Sequence, residues 1–286
     1  MARQANKKIE ASDLERYLSQ EEGFALEMAA LKACKEYQLE AVHGGSYLDQ
    51  QSGKRRQFDL RVSIGPYIGD CALKLAIECK TLGSEYPLLV SRLPREPHER
   101  LACYLKTAKG KITSIEQKTI YREDGTSPYR RWEMVGKGMA RVGIKQSRGK
   151  EDEFVSNDEE VFLKWNQALA SCIDLVATAW RDFQGRNDMP VYTFVMPLLI
   201  LNEGDLWVAD YDSNGNLAEP PKQVDSCEYF VDHTIECDTG LTYGHTEYTI
   251  SHLHIFTIKG FRKFISRNRI DANFDRIFNA PDLRNR

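Results

Sequence analysis

Cys71-Ala72-Leu73-Lys74-Leu75-Ala76-Ile77-Glu78-Cys79-Lys80 is an apolar run that closes on two opposite charges. Side chains alternate along a strand, so Leu73, Leu75, Ile77 and Cys79 take one face and Lys74, Glu78 and Lys80 the other. A carboxylate and an ammonium therefore stand together at the end of an element apolar enough to be buried. Upstream, Gln57 to Ile64 alternates in the same way, with Phe58, Leu60, Val62 and Ile64 on one face and Asp59, Arg61 and Ser63 on the other. Leu39 to Leu48 precedes it as a strand, and Asp49-Gln50-Gln51-Ser52-Gly53 supplies the reversal between the two. A break at Gly65-Pro66 leads into the quoted stretch.

Ahead of these strands, Ser19-Gln20-Glu21-Glu22 has the form of a capping box and predicts a helix start. Phe24, Met28, Leu31 and Cys34 recur at helical spacing, and Glu27 borders that stripe. Residues 1 to 18 read as a polar lead-in. Beyond Lys80 the pattern loosens, and residues 85 to 157 read as an insertion of short apolar pieces among basic and glycine-rich ones. Val135-Gly136-Lys137-Gly138 lacks the spacing that wraps backbone amides around phosphates. Val161, Trp165, Leu169, Cys172, Val176 and Trp180 predict a long helix after Ser156, ended by Gly185 and Pro190. Val191 to Leu201 and Leu206 to Asp210 follow as strands. Residues 213 to 225, with Pro220-Pro221, read as a loop, and the C-terminal extension over 213–286 carries a strand at Tyr248 to Ile258 and a basic helix at Lys259 to Arg269. The order predicts an α/β fold with a central mixed sheet flanked by helices.

With 286 residues, 42% hydrophobic and 28% charged, the chain has an ordinary globular composition. No stretch is long and apolar enough to span a bilayer, and the N-terminus lacks the apolar core of a signal peptide. Seven irregularly spaced cysteines suit reduced thiols, so a cytoplasmic setting without membrane contact is expected. A net charge of −3 demands no nucleic acid. Local clusters at Lys54-Arg55-Arg56, Arg130-Arg131, Arg148-Gly149-Lys150 and Arg262, Lys263, Arg267, Arg269 read singly as solvated charge and together as material for a polyanion groove.

Phosphodiester hydrolysis needs charge neutralisation, an activated water and, usually, Mg²⁺ bound through one or two carboxylates. If the strands carrying them are neighbours, Asp59 and Glu78 supply those oxygens, the Cys79 carbonyl a further one, and Lys80 an ammonium for the attacking water and the developing charge. Glu-x-Lys by itself arises by chance about once in a chain of this length. The apolar strand before it, the aspartate on the preceding strand and the capped helix with Glu27 give it context. The competing reading is a surface salt bridge between Glu78 and Lys80.

Phe58-Asp59 followed by Ile77-Glu78-Cys79-Lys80 resembles the Asp…(Glu)-x-Lys signature of the PD-(D/E)XK nucleases, the restriction-endonuclease-like superfamily. Phe58 stands where the motif's proline would be, and Ser171 stands where the Gln-x-x-x-Tyr helix of RecB-like members, compared through Gln167, has its tyrosine. The resemblance covers residues 19 to 84 and, more loosely, 156 to 211. It implies a core of α-β-β-β-α-β order spanning residues 19–212, with Asp59, Glu78, the Cys79 carbonyl and Glu27 holding Mg²⁺, Mn²⁺ able to substitute, and Lys80 as the catalytic lysine. DNA is the implied substrate ahead of RNA, in an endonuclease acting as a homodimer or with a regulatory partner, and defence against foreign DNA is the setting the fold suggests. A non-catalytic nucleic-acid-binding or assembly subunit on the same fold stands as the alternative.

Two other groupings offer less. Cys227, His233, Cys237, His245, His252 and His254 are metal-ligand types without a zinc-site spacing, and His252 and His254 read as a hydrogen-bonded surface pair. His43 has no acid partner visible in the sequence and no nucleophile elbow beside it.

Overall fold

The computed structural model describes residues 8–20, 22–49, 52–65, 71–82, 85–108, 111–119, 129, 133–145, 153–156, 159–179, 191–236 and 247–267. Within them the chain is α/β. Thirteen strands form one large mixed sheet, accompanied by four α-helices. Helices α1 (Ala11–Gln20) and α2 (Glu22–Glu36) lead into the meander β1 (Glu40–Leu48), β2 (Arg55–Ile64) and β3 (Cys71–Lys80). Five strands follow: β4 (Leu88–Pro94), β5 (Leu101–Ala108), β6 (Lys111–Thr119), β7 (Met134–Lys145) and β8 (Glu153–Ser156). Helix α3 (Glu159–Thr178) then returns the chain to β9 (Val191–Leu201) and β10 (Leu206–Asp210). The C-terminal part adds β11 (Lys222–Gln223), β12 (Ser226–Glu236), β13 (Glu247–Thr257) and α4 (Ile258–Arg267).

Strand β3 is central because its side chains are buried on both faces. It pairs antiparallel with β2 and parallel with β9 over its whole length, from Cys71 opposite Tyr192 to Lys80 opposite Leu201. Leu73, Leu75, Ile77 and Cys79 pack with Leu26, Ala30, Ala33 and Cys34 of α2 and with Phe261 and Ile265 of α4. Ala76, on the other face, packs with Cys172 and Val176 of α3. The alternation read from the sequence is thus the division of the core into an α2/α4 layer and an α3 layer. Beyond β3 the sheet forks at β9. The first residues of β9, Val191 to Thr193, pair antiparallel with β5, and its last four pair parallel with β13.

Several expectations need adjusting. Residues 11–18 of the polar lead-in belong to α1, while the side chains of the Ser19–Glu22 box lie outside the described residues. The buried stripe of α2 runs through Leu26, Ala30, Ala33 and Cys34, leaving Phe24 54% exposed. A stripe of small residues lets the helix lie close to the sheet, and a reading weighted toward large side chains places all but Cys34 two residues off. The stretch over 85–157 contributes β4 to β8 to the common sheet. Phe58 leaves the face of Leu60, Val62 and Ile64 and packs with Tyr47 and Ala170. Opposite that departure β1 is bent at Gly44, which has φ 61° and sits between the pairs His43 with Leu60 and Gly45 with Phe58. A Cβ at Gly45 would meet the Phe58 ring, so glycine is what lets the ring turn there. Trp180, Gly185 and Pro190 lie outside the described residues.

Candidate active site

The local geometry begins where β2 and β3 stop pairing. Their ladder runs from Ile64 opposite Leu73 to Leu60 opposite Ile77 and ends there. One residue further along β2, Asp59 Oδ2 accepts a hydrogen bond from the Cys79 backbone N–H at 2.7 Å. A side-chain carboxylate takes a donor that a continuing ladder would have used, and so lies at the seam between two separating strands.

Glu78, fully buried, comes to the same place from β3. Lys164 of α3 joins the two, its Nζ donating to Glu78 Oε2 at 3.2 Å and to Asp59 Oδ2 at 3.3 Å. Burial pushes the Glu78 carboxyl up to about 8, and the neighbouring Asp59 charge adds to the rise while Lys164 opposes it. Burial works against the Lys164 ammonium too, but the two carboxylates outweigh it and hold its pKa above the usual lysine value. The second oxygen of Glu78, Oε1, is buried without a hydrogen-bond partner among the described residues. A buried carboxylate oxygen with no donor is costly, and a cation is the natural way to satisfy it.

The expected site residues are therefore distributed as follows. Asp59 and Glu78 converge. Cys79 brings its amide to Asp59, and its buried thiol is raised first by burial and then by the charges of Asp59, Glu27 and Glu78. Glu27 is thus within electrostatic reach of the same seam, but its hydrogen bond goes to His43 Nε2 at 2.9 Å. His43 accordingly has an acid partner, supplied by a helix sixteen residues upstream, with Phe24 edge-on to its ring. Lys80 is half-buried at the end of β3, and the ammonium that meets both carboxylates is that of Lys164. Sequence reasoning missed Lys164 because only apolar positions of α3 were followed. The signal was its spacing, three residues after Val161 and four before Ala168, both of which are buried.

Helix α3 is tied to the sheet close by. Arg61 pairs with Asp174 at 2.8 Å, donates to Ser171 Oγ at 3.3 Å and lies over the Phe58 ring. Tyr47 donates to the Gln167 carbonyl at 3.3 Å. Ser171, where a RecB-like helix would carry tyrosine, serves here as an anchor for Arg61.

The donor set fits one divalent cation held by two carboxylates. Mg²⁺ takes one or two carboxylates and fills its remaining positions with water and substrate oxygens, and the orphaned Glu78 Oε1 is the kind of atom such an ion satisfies. No group of three His, Cys, Asp or Glu side chains is gathered as a metal cage among the described residues.

A second polar cluster lies under β12 and β13. Arg95, its side chain fully buried, is forked between Glu228 and Glu133. Tyr129 stacks on His252 with ring centroids 3.9 Å apart, and its hydroxyl lies 3.1 Å from His254 Nε2. His252 and His254 are buried rather than the surface pair the sequence suggested, with the Tyr129 ring stacked against them. Burial lowers His254 to about 3, so its ring is neutral. Cys237 and His245 lie outside the described residues.

Some residues of the basic clusters are met by acids. Arg56 pairs with Asp49, Arg262 with Glu36, and Lys259 and Lys263 both with Asp225. Arg130, Arg131, Arg148, Lys150 and Arg269, and the Arg267 side chain, lie outside the described residues. No helix among the described residues is long and apolar enough to cross a membrane. No family model, curated protein or solved structure matches the chain.

Proposed function

We propose that this chain is a Mg²⁺-dependent nuclease that hydrolyses phosphodiester bonds, DNA ahead of RNA, with Mn²⁺ able to replace Mg²⁺. The observation that carries the reading is the meeting of Asp59 and Glu78 on one Lys164 ammonium at the seam of β2 and β3, with Glu78 Oε1 left unsatisfied. The succession α2, β1, β2, β3, α3, β9, with β9 parallel to β3, supports a restriction-endonuclease-like core inside the larger sheet. Asp59 and Glu78 would hold the metal, and Glu27 would assist from α2. Bound there, Mg²⁺ supplies charge neutralisation and a more acidic water. Lys164 takes the role expected of Lys80. Its ammonium bridges the carboxylates, and with a metal held by Asp59 and Glu78 it would be free to neutralise charge on phosphate oxygens. The burial of Glu78 strengthens these interactions.

One observation favours the second reading, a nucleic-acid-binding or assembly subunit on this fold. Lys164 already neutralises part of the carboxylate charge, as a site retired from catalysis would require. The readings separate in an assay of plasmid, single-stranded DNA and RNA with Mg²⁺, Mn²⁺ or EDTA. Metal-dependent cleavage that disappears in Glu78→Gln and Lys164→Met supports the nuclease. Cleavage unaltered by Glu78→Gln removes the site assignment, and binding without cleavage in any metal supports the subunit.

A further inference from the structure

Strands β7 and β12 run parallel and pair at one position, Tyr229 with Gly136. Toward their first residues, Met134 and Ser226, a cavity of about 380 Å³ opens, lined also by Glu228, His254 and Phe256. That volume is in the range of small-molecule sites. Glu228 and His254 are cross-strand partners on β12 and β13, and each has one polar atom committed and one not. Arg95 donates to Glu228 Oε2, and the Tyr129 hydroxyl lies 3.1 Å from His254 Nε2. Glu228 Oε1 and His254 Nδ1 stand 3.8 Å apart with no hydrogen bond among the described residues, although the His254 side chain is only 6% exposed. Arg95 and Tyr129 do not line the cavity; they hold these two groups at its wall. The His254 ring is neutral, and a carboxyl beside it favours the tautomer with the proton on the nearer nitrogen. The wall therefore presents an acceptor, Oε1, next to a donor, Nδ1–H.

The charges around the cavity are already matched. Arg92, on its wall, forks onto both oxygens of Asp210, and Arg95 is shared by Glu228 and Glu133. What the wall leaves open is hydrogen-bonding capacity rather than charge. The rings of His254 and Phe256, parallel within 10° and with centroids 6.3 Å apart, add flat faces on which a planar group can stack. We propose that this cavity is a binding site for an uncharged, planar nitrogen heterocycle of the nucleobase type, whose edge N–H donates to Glu228 Oε1 while the adjacent ring nitrogen or carbonyl accepts from His254 Nδ1. A phosphate placed there would meet the carboxyls of Glu133 and Glu228, and an amine or guanidine would meet Arg92, so both charged classes are matched less well. The site shares no residue with Asp59, Glu78 and Lys164 and does not rest on the nuclease reading.

The test is made in EDTA, so that cleavage plays no part. The full chain is titrated by calorimetry with adenosine, guanosine, cytidine and uridine, and with pyrophosphate and agmatine as charged comparisons. At least one nucleoside is expected to bind at millimolar concentration or below, ahead of both charged compounds. Ser226→Trp, at an exposed position on the rim, is expected to abolish that binding by filling the mouth. Glu228→Gln is expected to weaken it about tenfold, the usual loss for one hydrogen bond to a charged group, and full methylation of the nucleoside's donor nitrogen to do the same. Competition by a short single-stranded oligonucleotide of the base that binds assigns the base to nucleic acid, and binding that the oligonucleotide leaves untouched assigns it to a free nucleoside or nucleotide. Absence of nucleoside binding, preference for pyrophosphate or agmatine, or nucleoside binding unchanged in both Ser226→Trp and Glu228→Gln overturns the proposal. Should Glu228→Gln fail to fold, Ser226→Trp, which leaves the Arg95 cluster intact, decides alone.

Discussion

Two buried polar clusters, one at the end of β2 and β3 and one under β12 and β13, use similar residues to different ends. In the second, one arginine fork meets two carboxylates, and the histidine rings beside it are held neutral against Tyr129. In the first, two carboxylates share a single lysine and one oxygen has no partner. Both contain a carboxyl raised by burial, Glu78 to about 8 and Glu228 to about 7. A raised carboxyl is thus no mark of a site by itself. Buried atoms without a hydrogen-bond partner among the described residues occur in the second cluster too, His252 Nε2 among them, so such an atom is no mark of a site by itself either; what sets the first apart is that its unsatisfied atom is a carboxyl oxygen, which a cation satisfies once the group gives up its proton.

The largest expected effect tests whether the first cluster is chemical and the second structural. Asp59→Asn, Glu78→Gln and Lys164→Met should each reduce metal-dependent cleavage by about 10²–10³ or more, the range for removing one charge-stabilising group. Arg95→Met should leave the rate per folded molecule near that of the natural chain. Cleavage assays normalised to folded protein decide it, and equal losses in both clusters would dissolve the distinction.

Stability should show the reverse order. Removing the fully buried Arg95 takes the partner from Glu228 and Glu133, and because those side chains are 24% and 46% exposed the cost should lie below the about 3–5 kcal/mol of breaking a fully buried pair. Lys164→Met should cost less, because Glu78, with a pKa of about 8, already holds its proton over most of the neutral range and is not left as a bare buried charge. Urea unfolding of the two variants without divalent cations measures the difference. A Lys164→Met loss as large as that of Arg95→Met would show that Lys164 is a structural tie.

These expectations depend on contacts that the sequence revealed unevenly. The α/β class, the meander and β9 were legible because period-two alternation and long apolar runs are local signals. Asp59 and Glu78 could be paired on paper since both sit on polar faces of consecutive strands. Lys164 could not, because it is 86 residues from Glu78 and lies on a helix whose apolar stripe drew the reading to its neighbours. His43 looked solitary for the same reason, its acid partner being on a helix that sequence alone does not orient. Strands β4 to β8 read as an insertion because short, partly basic segments show their sheet membership only when paired with β9, β10 and β12.

A smaller effect isolates the charge of Glu78. Its folded pKa of about 8 lies above the ordinary glutamate value of 4.5, so the fold prefers the protonated form. That contribution to stability is fully present below about pH 4.5 and is lost as pH rises through about 8. Without divalent cations the natural chain should therefore lose thermal stability between about pH 4.5 and 8 relative to Glu78→Gln, which has no proton to lose there. Melting curves of the two across that window measure it, and curves that run parallel would mean that Glu78 is ionised throughout.

The smallest effect concerns Glu27, which stands between the two kinds of behaviour. It lies close enough to raise the Cys79 thiol, yet its hydrogen bond goes to His43, and both side chains are about a quarter exposed. An ion pair this open contributes about 0.2–1 kcal/mol, so Glu27→Gln and His43→Gln should leave the melting temperature nearly unchanged. If Glu27 assists the metal, Glu27→Gln should lower cleavage by about tenfold at limiting Mg²⁺ and recover at high Mg²⁺, since one weak contribution to affinity can be offset by concentration. His43→Gln should follow the same pattern more weakly, acting through the orientation of Glu27. A defect in Glu27→Gln that persists at saturating Mg²⁺ would instead place Glu27 among the groups that meet the transition state, beside Lys164.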